Sequence, residues 1–143
     1  TLKELNFARQ VLGRMDRLPT GLKQAIQQAL ELTKDNTRIT VGVAFDYGGR
    51  AEIIEAVRRV IKAGISPEDI NEDIFSGYLY TAELPDPDLI IRTGAAARLS
   101  NFLPWQSIYS ELVFTPTYWP ALSHQEFTAI LAEVADRDRR FGR

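Results

Sequence analysis

The sequence predicts an α/β fold in which helices cover both faces of a mostly parallel central sheet. Segments with apolar residues at helical spacing alternate with short apolar runs that are typical of strands. In the run Ile39–Phe45, small or apolar residues also fill the positions between the large ones, as in strands of a parallel sheet that are covered on both faces. The 143 residues contain no linker, so we expect them to belong to one domain.

The first half of the chain supplies two strands and two long helices. Residues 7–12 predict a strand closed by Gly13, and Pro19 opens a helix with an apolar face. The strand at 39–45 follows and ends in a glycine turn. An amphipathic helix begins after this turn, and Gly64 is placed to end it.

The second half begins with two short helical segments. Ser66-Pro67 predicts a helix start, and Asn71 is placed to cap another short helix. The residues 88–91 then predict a third strand. We expect a helix to run from Ser100 or Asn101 to about Tyr109.

Two elements remain before the end of the chain. Residues 112–115 predict a fourth strand. Ser123 and Glu126 have the spacing of a capping box, which predicts the start of the last helix.

Composition excludes several classes of function. The chain has no cysteine, which excludes a disulfide framework and thiolate metal sites. Its only histidine, His124, excludes a zinc site built from several histidines and is expected to face solvent. A net charge of −2 gives no field that favours nucleic acid. No apolar run has the length of a membrane span, so we expect a cytoplasmic protein without a transmembrane segment.

An arginine and a flexible turn follow each of the first three predicted strands. The segments are Gly13-Arg14, Tyr47-Gly48-Gly49-Arg50 and Arg92-Thr93-Gly94. Because the carboxyl ends of parallel strands share one edge of a sheet, where ligands gather, this pattern favours an anion site. The alternative for the second segment is an ordinary glycine turn between a strand and a helix.

Residues 92–100 offer the donors that a diphosphate needs. Arg92 and Arg98 bracket a Gly/Ala loop, and Ser100 adds a hydroxyl at the predicted helix start. Guanidinium groups, hydroxyls and free amides at a helix start can converge on phosphate oxygens. The alternative is that both arginines form surface ion pairs while Ser100 only caps the helix. Glu111 could hold Mg²⁺ near a diphosphate, but a single glutamate is more often a solvated side chain.

Several runs together resemble the signature of cis-prenyltransferases of the undecaprenyl diphosphate synthase type. They occur in the family's order, and the resemblance covers about residue 6 to the end of the chain. The runs are Tyr47-Gly48-Gly49-Arg50, Asp88-Leu89-Ile90-Ile91-Arg92-Thr93-Gly94, Arg98-Leu99-Ser100-Asn101-Phe102-Leu103, Trp105-Gln106, Tyr109-Ser110-Glu111-Leu112 and Arg139-Arg140-Phe141-Gly142. Residues 1–143 are thereby identified as the carboxy-terminal part of a single cis-prenyltransferase domain, whose sheet is incomplete without an amino-terminal segment.

The resemblance assigns roles to individual residues. It implies that one group binds the diphosphate of isopentenyl diphosphate: Arg92, Arg98, Ser100 and, through its backbone, Leu99. The glycine turn Gly48-Gly49-Arg50 is included among the substrate-binding residues. Glu111 matches the family's magnesium-associated glutamate. Arg140 and Gly142 match an Arg-x-Gly ending that reaches toward the site of a second subunit, which implies a homodimer.

The implied reaction condenses isopentenyl diphosphate with an allylic diphosphate to give a cis-polyprenyl diphosphate, such as undecaprenyl diphosphate, with Mg²⁺ as cofactor. The lipid-like product implies possible peripheral contact with a membrane. The family's Asp-Gly-Asn-Gly-Arg motif, which carries the catalytic aspartate, does not occur in these residues. No catalytic residue is therefore expected in this chain; it is expected upstream of Thr1, and the chain alone is expected to be inactive.

Two further departures keep a second interpretation open. Ala95-Ala96 stand where the family has Gly-Glu, and Arg14 stands where it commonly has Asp. The missing carboxylate favours a non-catalytic, diphosphate-binding partner subunit of a prenyltransferase complex as the alternative. A third possibility is an unrelated α/β module that binds phosphorylated small molecules.

Overall fold

The computed structural model describes residues 7–137, and their side chains from Val11 onward. The chain forms two compact units that divide after Glu83. Each unit contains one pair of parallel strands together with helices. The predicted α/β class and parallel strand pairing are therefore confirmed. In the described range, no helix is long and apolar enough to cross a membrane.

The first unit is built on strands β1 (Phe7–Gly13) and β2 (Ile39–Phe45), which pair in parallel from Phe7 opposite Ile39 to Gly13 opposite Phe45. Helix α1 (Thr20–Thr33) connects them, and helix α2 (Gly49–Lys62) follows β2. Both helices have apolar residues on one face, and some of these side chains are buried in the core of the unit. The buried apolar residues are Leu12, Ile26, Ala56, Val60 and Leu79.

The end of the first unit is mostly irregular. The Ser66-Pro67 start produces only a one-turn 3₁₀ segment, Pro67–Asp69. Asn71 caps helix α3 (Glu72–Ser76) as predicted, because its side chain accepts a hydrogen bond from the Ile74 amide at 2.9 Å.

The second unit pairs β3 (Leu89–Thr93) in parallel with β4 (Glu111–Thr115), and helix α4 (His124–Ala135) follows. Half of the predicted capping box forms, since the Ser123 hydroxyl accepts from the Glu126 amide at 3.1 Å. The Glu126 carboxylate instead accepts from the Thr115 hydroxyl at 2.7 Å, which ties α4 to the end of β4.

The predicted helix at 100–109 is wrong. Residues 100–109 form a series of turns, because Ser100, Asn101 and Leu103 have φ angles of 50°, 67° and 47°. Such left-handed residues cannot continue a right-handed helix. The free amides that a helix start was expected to supply are therefore not provided by a helix at residues 100–109.

Candidate functional site

The turn after β2 is held by a buried glutamate. The Glu52 side chain lies in the first turn of α2 and is 1% exposed. Its Oε2 atom accepts a hydrogen bond from the Tyr47 hydroxyl at 2.5 Å, and its Oε1 accepts from the Tyr80 amide at 2.8 Å. Glu52 therefore fixes the strand-to-helix turn that contains Gly48, Gly49 and Arg50.

A cavity of about 860 Å³ opens beside this turn within the first unit. Its wall includes four arginines, two acids and the apolar side chains of Val11, Met15 and Ile54; the charged residues are Arg14, Arg50, Arg58, Arg59, Asp16 and Glu55. The excess of cationic groups suits an anionic ligand, and the apolar side chains suit a ligand with a hydrocarbon part. Of the predicted substrate-binding residues, Arg50 lines this cavity.

Ion pairs occupy several of the cationic groups. Arg14 binds Asp16 through two hydrogen bonds of 3.2 and 2.7 Å, and the hydrogen bond to Arg14 lowers the pKa of the Asp16 carboxyl below its ordinary value. Arg59 lies over the Tyr80 ring at 5.2 Å from its centroid, a cation–π contact, and pairs with Glu55 at 3.6 Å. These contacts order the rim of the cavity.

Burial changes the acidity of Tyr80, which also lines the cavity. Its removal from water raises the pKa of the phenol above the ordinary value of 10.0, because the charged phenolate is disfavoured there. The Arg59 guanidinium opposes this rise, while the carboxylates of Glu55 and Glu52 add to it.

In the second unit, the loop after β3 closes back on the strand. Arg92 lies next to the end of β3, and its Nη1 donates to the Arg98 carbonyl at 2.6 Å. Gly94 makes the turn possible with a φ of 91°, and its amide donates to the Thr117 carbonyl at 2.9 Å. The loop therefore links the Arg92 side chain to the backbone of Arg98, and Leu99 and Ser100 follow directly in the chain.

The exposure of these residues leaves them accessible. Arg92 and Leu99 are half-buried, whereas Arg98 and Ser100 are exposed. The sharp turn at Ser100 results from its left-handed backbone. A half-buried guanidinium, an exposed guanidinium and an exposed hydroxyl on one loop are groups that can bind an oxyanion through charge-assisted hydrogen bonds.

Glu111, the predicted metal residue, begins β4 opposite Leu89. Its Oε2 lies 2.8 Å from Nη1 of Arg137, and Nη2 of Arg137 lies 2.6 Å from Oε1 of Glu133. The hydrogen bond to Glu111, and to a smaller extent the one to Glu133, raises the pKa of the Arg137 guanidinium above its ordinary value.

Among the described residues, Glu111 could bind Mg²⁺ only as a single carboxylate ligand. Within residues 7–137, no group of three or more His, Cys, Asp or Glu side chains could hold a metal ion. Mg²⁺ is commonly bound by one or two carboxylates together with substrate phosphates and waters. Glu111 therefore fits Mg²⁺ as one oxygen ligand beside a bound diphosphate, provided that it separates from Arg137.

Arg140 and Gly142 lie outside the described residues. Glu52 and Arg137 were not predicted as site residues. A glutamate in the first turn of a helix and an arginine just after the end of one are normally explained by the helix dipole. Only the rarity of a glutamate within the apolar face of α2 could have identified Glu52.

The prenyltransferase family model, described for undecaprenyl diphosphate synthase, matches residues 1–142. An isoprenyl transferase of Streptococcus pyogenes is 47% identical over 150 residues, covering 99% of this chain and 60% of the relative. The chain thus spans less than two thirds of that relative's length.

Two solved structures have the same fold. A probable undecaprenyl diphosphate synthase from Campylobacter jejuni matches with a TM-score of 0.91 and 36% identity, over 100% of this chain and 66% of that one. A lavandulyl diphosphate synthase from Lavandula x intermedia, in complex with dimethylallyl diphosphate, matches with a TM-score of 0.92 and 36% identity, over 99% and 65%. The expectation that this chain corresponds to part of such a protein is confirmed.

Proposed function

Because this chain belongs to the undecaprenyl diphosphate synthase family of prenyltransferases, we propose that it supplies the isopentenyl diphosphate site of a cis-prenyltransferase. The reaction joins the five-carbon unit to an allylic diphosphate: a carbon–carbon bond forms, the bond to the allylic diphosphate breaks, and a proton leaves the five-carbon unit. A cis-polyprenyl diphosphate such as undecaprenyl diphosphate is the product.

One observation carries the proposal. The Arg92 guanidinium donates to the Arg98 carbonyl at 2.6 Å, and this contact holds the two ends of the loop together. Both arginines, the Ser100 hydroxyl and the Leu99 amide are then available on one short loop to bind the diphosphate. Preorganised donors of this kind reduce the entropy that is lost on binding.

Each group would have a separate role. Arg92 and Arg98 would bind and orient the diphosphate of isopentenyl diphosphate. Gly48, Gly49 and Arg50 would be substrate-binding residues within the first unit. Glu111 would hold Mg²⁺ together with phosphate oxygens. When bound, Mg²⁺ neutralises charge that develops on a leaving diphosphate.

The proposal is tested by titration calorimetry with isopentenyl diphosphate. Arg92→Ala should weaken binding by at least about tenfold, equivalent to about 1.4 kcal/mol. Arg92→Lys keeps the charge but loses the forked geometry, so its affinity should lie between those of the unchanged protein and Arg92→Ala. Arg38→Ala removes an exposed arginine before β2 and is the control. Equal affinity in Arg92→Ala and Arg38→Ala would rule out the assigned role.

Turnover requires groups beyond this site in our proposal. The chain spans only 60% of the length of the relative from S. pyogenes, and we assign no catalytic residue within it. The 143-residue protein should therefore show no chain elongation with an allylic primer and Mg²⁺. A chimera that joins this chain to the remaining portion of that relative should carry out chain elongation. Elongation by the 143-residue protein alone would contradict this part of the proposal.

Assembly and location form a further part of the proposal. We assign the protein to the cytoplasm as a homodimer that contacts membranes only through its product, with Arg140 and Gly142 reaching toward the second subunit. Exposed apolar side chains in the second unit support burial against another surface, since Ile108, Tyr118 and Trp119 are 72%, 70% and 72% exposed. Light scattering should give twice the mass of one chain.

The alternative is a non-catalytic, diphosphate-binding partner subunit. It is favoured by the loop sequence Gly94-Ala95-Ala96, which contains no carboxylate. Elongation assays on the chimera distinguish the two functions. The partner-subunit function is favoured if the chimera binds isopentenyl diphosphate but does not elongate, and if Ala96→Glu in the chimera gives elongation.

A further inference from the structure

Arg137 connects two carboxylates of the second unit. Through one nitrogen it binds Glu111, the first residue of β4, at 2.8 Å, and through the other it binds Glu133, one turn earlier in α4, at 2.6 Å. One arm of the guanidinium therefore already binds the Oε2 oxygen of Glu111, which is one of its two oxygens that could bind a cation. An arginine and a metal ion cannot both use that oxygen at full strength, because their charges repel each other at this distance.

We propose that Arg137 is a competing counter-ion for Glu111, which a divalent cation must displace before it binds beside diphosphate. This inference rests on the proposed function. The consequence is that Glu111 stays paired until the metal and the diphosphate are both present, so metal binding depends on substrate.

Glu133 makes the displacement feasible. Its side chain is 63% exposed, compared with 27% for Glu111. The guanidinium can therefore stay on Glu133, in contact with water, when Glu111 is taken by a cation. Since Arg137 keeps one carboxylate partner in both states, the exchange leaves no unpaired charge.

The test uses Mn²⁺ as a probe for the cation, because free Mn²⁺ can be counted by electron paramagnetic resonance without any turnover. Mn²⁺ is titrated into the 143-residue protein with and without inorganic diphosphate, and the Mn²⁺ bound by the same diphosphate without protein is subtracted. Arg137→Gln should bind Mn²⁺ about two- to fivefold more tightly than the unchanged protein, the range expected for loss of one partly exposed ion pair. Arg137→Lys should be intermediate.

Glu133 variants separate direct competition from general charge effects. Glu133→Gln removes the second partner of Arg137, so the guanidinium should bind Glu111 more fully and weaken Mn²⁺ binding. Asp136→Asn makes the same change of charge beside Arg137 and should have little effect. In the Arg137→Gln background, Glu133→Gln should also have little effect, because the residue acts through Arg137.

The outcomes are distinct. Weaker or unchanged Mn²⁺ binding in Arg137→Gln overturns the inference and assigns Arg137 a positioning or purely structural role. If neither protein binds Mn²⁺ with diphosphate, Glu111 is not a metal ligand and the inference is also overturned. Isopentenyl diphosphate binding through Arg92, measured separately, then decides whether the proposed function stands. If Arg137→Gln does not fold, the Mn²⁺ affinities of Arg137→Lys and Glu133→Gln still test the inference: tighter binding by the first and weaker binding by the second support it, and any other result overturns it.

Discussion

The Glu52 carboxylate accepts a hydrogen bond from the backbone amide of Tyr80, 28 residues later in the chain, at 2.8 Å. The same carboxylate accepts from the Tyr47 hydroxyl at 2.5 Å. One buried side chain thus connects the end of β2, the start of α2 and the segment after α3. Because Arg50 and Tyr80 both line the cavity of the first unit, Glu52 anchors two segments of its wall.

Glu52→Ala should lower the free energy of unfolding by about 2–4 kcal/mol, because it leaves the Tyr80 amide and the Tyr47 hydroxyl without their buried acceptor. Glu52→Gln keeps one carbonyl oxygen and should cost about 1 kcal/mol. Urea denaturation followed by circular dichroism measures both changes.

The control for this prediction lies on the same helix. Glu55→Ala removes a glutamate whose partners Arg58 and Arg59 are 73% and 44% exposed, so it should change stability by less than about 1 kcal/mol. If Glu52→Ala and Glu55→Ala shift the urea midpoint equally, Glu52 does not hold the turn.

Gly13 is predicted to tolerate no side chain. Its φ is 109°, and a Cβ there would lie 2.1 Å from the Phe45 carbonyl oxygen on the paired strand. Gly13→Ala should therefore lower the free energy of unfolding by about 2–4 kcal/mol. Gly21→Ala is the matched control in α1, where a Cβ meets nothing within 4 Å, and it should stabilise the protein by about 0.5–1 kcal/mol. Destabilisation of the same size by both would refute the steric explanation.

Regular elements were predictable because their signals are local. The strand Ile39–Phe45 was predicted with its observed bounds, and the Asn71 cap appears as expected. Both depend on the spacing and chemistry of neighbouring residues. The turns at 100–109 were not predictable in this way, since Ser100 and Leu103 adopt left-handed angles that neither residue prefers by itself.

The candidate site shows the same division. Arg92 and Arg98 were predicted together because six positions separate them in one loop, and the structure joins them through a hydrogen bond. The contact between Arg137 and Glu111 spans 26 residues. No local pattern indicates such a pair, so it emerges only from the folded chain.

Two substitutions at Ser100 should separate backbone strain from binding. Ser100→Gly removes the strain of a φ of 50°, and should raise the free energy of unfolding by about 0.5 kcal/mol after the added freedom of the unfolded chain is counted. Ser100→Ala keeps the Cβ and should leave stability nearly unchanged. Both remove the hydroxyl and should weaken isopentenyl diphosphate binding in calorimetry. Retained affinity in both variants would exclude the hydroxyl from the site.

Alkaline pH should destabilise the protein through Tyr80. Burial raises the pKa of this phenol above 10.0, so the folded state favours the neutral form. The resulting stability is present below pH about 10 and is lost as the pH rises through the folded-state pKa. Tyr80→Phe, which cannot ionise, should therefore show a smaller fall in unfolding free energy across this range, measured by urea denaturation at successive pH values. Tyr118→Phe, at a position that is 70% exposed, is the control. An equal pH dependence in Tyr80→Phe and the unchanged protein would show that burial of Tyr80 does not disfavour its phenolate.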